Sequence, residues 1–212
     1  MKKRIRITLD YFMITIVLAL LVFFQLPYFK VALIAVLILG YSRLVGENGI
    51  LKFDHSVNLK TTLVIAFSMA SIILMAIYFV VRPALELVTN ELHQIGTFSN
   101  LRGNLKLLVI GIGMGWILGG FAEEIVFRGF LLKKISDQLP GKIGQVVAVA
   151  ITSIIFGYLH AYQGFVGQLL AGIIGITLGS IFIMNEGRIW LNILIHGFIN
   201  TISMVIVYLG IS

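Results

Sequence analysis

Residues 105–136 read LKLLVIGIGMGWILGGFAEEIVFRGFLLKKIS. A helix crossing a bilayer needs about 20 mostly apolar residues, and this stretch is longer than that. Its middle nevertheless carries Glu123, Glu124 and Arg128. A charge at bilayer depth costs a few kcal/mol or more, so such residues point to function by default. Glu124 and Arg128 are four apart, hence on one helix face and able to pair. Glu123 sits about 100° round the helix from Glu124, so the two carboxylates need not share a role. A helix that ends at Gly119-Gly120 and leaves its carboxylates in the headgroups would explain one Glu. It fits poorly with two Glu and an Arg set among Ile125, Val126, Phe127, Phe130, Leu131 and Leu132.

The rest of the chain supports a lipid environment. Of 212 residues, 59% are apolar and 12% charged, and the mean hydropathy is +1.04. Soluble domains are roughly 45–50% apolar and about 25% charged. A soluble fold of this length would expose much of that apolar surface to water. There is no cysteine, which excludes a disulfide framework, a thiolate zinc site and a Cys nucleophile. The net charge of +7 hints at a nucleic-acid partner, but in a membrane protein basic loops set the topology. No nucleic-acid partner is expected.

Seven segments are read as spans: Leu9–Leu26, Phe29–Val45, Thr61–Val81, Leu105–Ser136, Ile143–His160, Phe165–Met184 and Ile189–Leu209. The second is short. The basic start followed by an apolar run resembles a signal peptide, but no clear cleavage site follows, so it is read as a retained span. Seven spans put eleven Lys and Arg on one side (Lys2, Lys3, Arg4, Arg6, Arg43, Lys52, Lys60, Lys133, Lys134, Lys142, Arg188). The other side has four (Lys30, Arg82, Arg102, Lys106). The positive-inside rule then places the N-terminus in the cytoplasm. The polar interval Arg82–Asn104, with Glu86, Glu91 and His93, is a candidate amphipathic surface helix. The expected fold is an all-α polytopic membrane helix bundle of about seven transmembrane helices. Residues 1–104 hold the first three helices and a polar loop, and 105–212 hold the functional core, within one integral membrane domain. If the source is bacterial, the location is the plasma membrane.

Gly111, Gly115 and Gly119 recur every fourth residue, as do Ala171, Gly175 and Gly179. Each set lies on one helix face and permits close helix–helix approach. A dinucleotide reading of Gly111–Gly115 fails for want of the third glycine and for its place inside a span. Two further polar clusters interrupt apolar spans. One is Phe156-Gly-Tyr-Leu-His160. The other is Asn192, His196 and Asn200, a stripe at i, i+4 and i+8. Such a stripe either ties helices together or lines a water-filled cavity, and the other two clusters favour the cavity.

Depth brings the first two clusters together. Glu123 and Glu124 precede the Leu139-Pro140-Gly141 turn by about as many residues as His160 follows it. Both sites then lie roughly 25 Å from the turn. His196, only eight residues after Arg188, falls nearer 12 Å from its own turn. Projection of the fourth span beyond the bilayer, with Lys133, Lys134 and Asp137 among the headgroups, would reduce that mismatch.

The ordered set Glu-Glu-x-x-x-Arg, Phe-x-x-x-His and His-x-x-x-Asn resembles the CPBP intramembrane proteases. These are the type II CAAX prenyl endopeptidases and the Abi proteins of bacteriocin processing or immunity. Phe127-Arg128-Gly129, His160-Ala-Tyr-Gln-Gly164 and Leu191–His196 agree with it, and the resemblance covers roughly Met114 to Leu209. It implies that Glu123 is the general base for water and that His160 helps bind and activate that water. It implies that His196 and Asn200 stabilise the oxyanion. Glu124, Arg128, Phe156 and Asn192 then act in support.

The residues suit that chemistry. Peptide hydrolysis needs a base of suitable pKa and donors aimed at the developing oxyanion. With no Cys and no evident Ser-His-Asp arrangement, water is the nucleophile. Glu123, His160 and His196 would also suit a His₂Glu zinc site, although no HExxH helix is present. The metal-free form is favoured and zinc stays possible. The expected function is therefore an intramembrane endopeptidase acting on a hydrophobic or lipidated peptide, in peptide maturation or bacteriocin self-immunity, with membrane lipid as its surroundings. The alternatives are a non-catalytic family member that binds a membrane partner and, less favoured, a proton-coupled transporter.

Overall fold

The computed structural model describes residues 3–24, 29–47, 49–51, 58–94 and 96–211. Leu26, at the end of the first expected span, and Lys2 and Lys52 of the basic tally lie outside these residues. Among the described residues the chain forms seven helices and no strand. They are α1 (Lys3–Phe23), α2 (Lys30–Leu44), α3 (Leu59–Thr89), α4 (Leu105–Ser136), α5 (Gly141–Leu159), α6 (Gly164–Met184) and α7 (Ile189–Tyr208). Six are long and apolar enough to cross a membrane. The exception is α2, whose 15 residues reach only about 22 Å, short of the hydrocarbon core at about 30 Å.

Local chemistry sets the helix ends. The Asn58 side chain accepts from the Lys60 amide and Asn104 from the Leu107 amide, capping α3 and α4. Asn90, at φ 54°, turns the chain out of α3. The expected surface helix over 82–104 is not a separate element. Arg82–Thr89 continues α3 through a π-helical turn at Ile77–Val81, and Gly96–Leu101 is a short 3₁₀ segment.

α4 is the axis of the bundle. Every residue from Ile125 to Leu132 is buried, packed against Met13, Val17 and Leu21 of α1 and Ile34 and Ile38 of α2. A second core joins Ala66, Ala70 and Leu74 of α3 to Leu178 of α6 and Ile195 and Ile199 of α7. Large apolar side chains face outward elsewhere, such as Phe12, Phe79 and Ile154. A soluble protein rarely exposes such continuous apolar surface; here it is the lipid-facing skin of an integral, multi-pass membrane protein.

Both small-residue stripes act as close contacts. On α4, Gly111 faces Met204, Gly115 faces Asn200 and Met204, and Gly119 faces Asn200 and His196. The glycines thus meet the polar face of α7 antiparallel. On α6, Gly175 packs on Ser153 and Gly179 on Val149 and Leu132.

The far end of α4 differs from the headgroup placement expected for it. Lys133 and Asp137 are exposed, but Lys134 is buried. Its Nζ lies 2.9 Å from Asp10 and 2.8 Å from Glu47. Tyr41 donates to Asp10 at 2.6 Å, and Arg6 also pairs with Glu47. Two carboxylates from α1 and the α2 loop thus give the lysine partners that headgroups would otherwise supply.

Removing one partner of a buried ion pair leaves the other charge uncompensated. Lys134→Met should therefore lower stability by about 3 kcal/mol, read as a lower thermal midpoint in detergent. Burial pushes the Glu47 carboxyl up, but the hydrogen bond and charge of Lys134, with Arg6 and Lys133, outweigh it and hold the group below its ordinary 4.5. A carboxyl depressed in the folded state stabilises it above that ordinary value, and the contribution fades as pH falls below it. Acidification from neutrality through 4.5 should therefore lower the midpoint, and Glu47→Gln should flatten that dependence.

Candidate active site

Three helices bring the polar residues together. α4 contributes Glu123, Glu124 and Arg128, α5 contributes Phe156 and His160, and α7 contributes His196 and Asn200. α4 is π-helical over Gly115–Glu123 and Ile125–Leu132, a widened geometry frequent at functional sites. The spacing argument for Glu124 and Arg128 holds regardless. Arg128 Nη1 donates to Glu124 Oε1 at 2.7 Å, both side chains being almost wholly buried.

Glu124 does more than pair with Arg128. The same oxygen, Oε1, lies 2.7 Å from His196 Nδ1. Its second oxygen is buried with no protein partner among the described residues. The other ring nitrogen of His196, Nε2, lies 3.8 Å from Glu123 Oε2. Glu123 keeps 19% of its side chain exposed against 0% for Glu124. The adjacent carboxylates therefore occupy different environments, one sealed and one open.

Arg128 is anchored a second time, by Nη2 donating to the Gly175 carbonyl at 3.2 Å. Its guanidinium also lies 5.2 Å from the centre of the Phe156 ring, within cation–π range. Phe156 is the hub of the apolar packing. Its ring stands edge-on to Phe127 at 5.0 Å, 4.5 Å from His160 and 6.1 Å from His196. His160 closes α5, with Nδ1 2.7 Å from the Phe156 carbonyl. A carbonyl only accepts, so Nδ1 is the donor there and Nε2 is left available.

The polar stripe on α7 makes an interhelical hydrogen bond at each position. Asn192 donates to the Leu178 carbonyl at 2.7 Å, His196 meets Glu124, and Asn200 donates to the Gly115 carbonyl at 3.0 Å. Glu124 is thus in direct reach of Arg128 and His196, and Glu123 lies 3.8 Å from the far nitrogen of His196. His160 joins through Phe156, and Asn200 lies beside Gly119 one turn from His196. Asn192 stands apart as a tie between α7 and α6. The depth mismatch disappears because α4 runs past α7: Gly129 lies against Ile189, which sets Glu124 level with His196.

Among the described residues no three His, Asp or Glu side chains come together as a metal site. Glu123, His160 and His196, as placed, do not come together as the His₂Glu donor set among the described residues.

Two contributors carry no charge and were not singled out by spacing. Trp116 donates to Thr201 at 3.0 Å, and its ring fills the space above Gly197. Gly157 lies so close to α6 that a methyl group there would sit 2.7 Å from the Gln168 carbonyl. The clue to both is small residues beside polar ones on apolar helices.

Arg128→Met should leave the sealed Glu124 carboxylate with no cation. The expected loss is about 3–5 kcal/mol, measured as a fall in the unfolding midpoint of the protein in lipid nanodiscs.

No curated protein and no solved structure matches the chain. Residues 105–202 match the sequence model of the family described as type II CAAX prenyl endopeptidase Rce1-like. They contain every site position from Glu123 to Asn200, and over this part the chain is similar to that family.

Proposed function

We propose that the protein hydrolyses a peptide bond in a membrane-associated or lipid-modified peptide, with water as the nucleophile. The Rce1-like family is a protease family, which supports proteolysis. The observation that carries the finer reading is the pair of unequal carboxylates beside His196. Glu124 is spent on Arg128 and His196, while Glu123 is partly exposed and bound to neither.

In this reading Glu123 takes the proton of an attacking water. His160, with Nδ1 committed to the Phe156 carbonyl, offers Nε2 to hold that water. The oxyanion forms toward His196 and Asn200. The Asn200 amide spends one N–H on Gly115 and has a second to give. That N–H is a donor already held in place, which stabilises developing charge without reorganisation. Maturation of a peptide, or self-immunity against a bacteriocin, is the physiological setting this chemistry fits.

The test is cleavage of fluorogenic hydrophobic and lipidated peptides by the full chain in nanodiscs. Glu123→Ala, His160→Ala and His196→Ala should each cost at least about 10²-fold in kcat. Exhaustive chelation should leave the wild-type rate unchanged. Full activity in all three variants would overturn the proposal and favour a partner-binding role.

A further inference from the structure

We infer that Glu124 is a positioning residue: it fixes the proton of His196 on Nδ1 and thereby assigns Nε2, the nitrogen facing Glu123, to the reaction. This rests on the proteolytic reading above.

The geometry is specific. Glu124 Oε1 lies 2.7 Å from Nδ1. An ionised carboxylate has no proton to give, so Nδ1 must donate. Arg128 Nη1 grips the same oxygen at 2.7 Å and is itself anchored by Nη2 on Gly175. The carboxylate therefore cannot swing away. Glu124 is 0% and His196 5% exposed, so bulk water does not compete for either group. His160 shows the same arrangement with a different acceptor, since its Nδ1 donates to the Phe156 carbonyl. Both imidazoles are tethered through Nδ1 and present Nε2.

The consequence is chemical. In a neutral ring with Nδ1–H, Nε2 carries the lone pair and begins by receiving a proton. As the water oxygen bonds to the scissile carbonyl carbon, its proton passes to Glu123 and the carbonyl π pair moves onto oxygen. Handing that proton from Glu123 to Nε2 gives His196 two N–H groups, one held by Glu124 and one turned to the oxyanion. On collapse the oxygen pair re-forms the carbonyl, the C–N bond breaks and the leaving nitrogen takes the proton. An orienting carboxylate behind a histidine plays the equivalent part in hydrolytic triads.

Glu124→Gln separates this role from a purely structural one. An amide carries one acceptor oxygen and no charge, so with Arg128 on that oxygen Nδ1–H keeps only a weaker, shared partner. The proton is then no longer fixed on Nδ1 and reaches Nε2. Full-length protein with ¹⁵N-labelled histidine in nanodiscs reads this directly, the His196 signals being identified by their loss in His196→Gln. We expect Nδ1 protonated in the wild type and a population protonated on Nε2 in Glu124→Gln. We also expect kcat to fall by about 10²–10⁴-fold, with KM within about threefold. A bare Nδ1 in the wild type, an unchanged tautomer in Glu124→Gln, or full kcat in that variant overturns the inference. If Glu124→Gln does not fold, the wild-type spectrum alone decides. Glu123→Gln tells the two proposals apart. An inactive Glu123→Gln beside a fully active Glu124→Gln keeps the proteolytic reading and removes this one. An active Glu123→Gln removes the proteolytic reading itself, and with it this inference.

Discussion

Burying a guanidinium among apolar helices is the constraint to which the rest of the core answers. Arg128 cannot be solvated by lipid, and a lone cation at such depth is costly. The chain meets that demand with one charge and one carbonyl, Glu124 and Gly175. It adds an aromatic face from Phe156. Each partner comes from a different place along the chain, so satisfying one arginine draws α4, α5 and α6 together. His196 then completes the environment of Glu124 and brings in α7. In this sense the site and the helix packing are one set of contacts.

The glycines make that arrangement sterically possible. A polar side chain can reach a carbonyl on a neighbouring helix only if the two backbones approach closely. Gly115 and Gly119 open that space for Asn200 and His196, and Gly175 opens it beside Ser153. Packing and polarity are therefore solved by the same residues: the helix face that lets backbones touch also exposes the carbonyls that hold the site.

Much of this was legible in the sequence. Long apolar runs place five of the seven helices within about two residues, because a bilayer demands length and tolerates few interruptions; α1 begins six residues before its expected start and α3 ends eight past its expected end. Glu124–Arg128 was readable because a pair four residues apart shares a face. Other features were hidden for physical reasons. Nothing local in Lys134 distinguishes it from an interfacial lysine, since its partners Asp10 and Glu47 are distant in sequence. Nor does an i, i+4, i+8 stripe say which carbonyls it will meet, so the tie from Asn192 to the Leu178 carbonyl of α6 was not legible. The π-helical turns of α4 leave no periodicity distinct enough to read.

Four of the polar side chains here are held by main-chain carbonyls: His160 by Phe156, Arg128 by Gly175, Asn192 by Leu178 and Asn200 by Gly115. A carbonyl is the same atom pair whatever side chain its residue bears. The anchors therefore constrain size at a few positions and chemistry at almost none. Selection on such a site acts on a short alphabet, a few polar letters and the glycines that admit them. The intervening helix is left free to exchange one apolar residue for another. A site built this way can persist while most of the chain around it drifts.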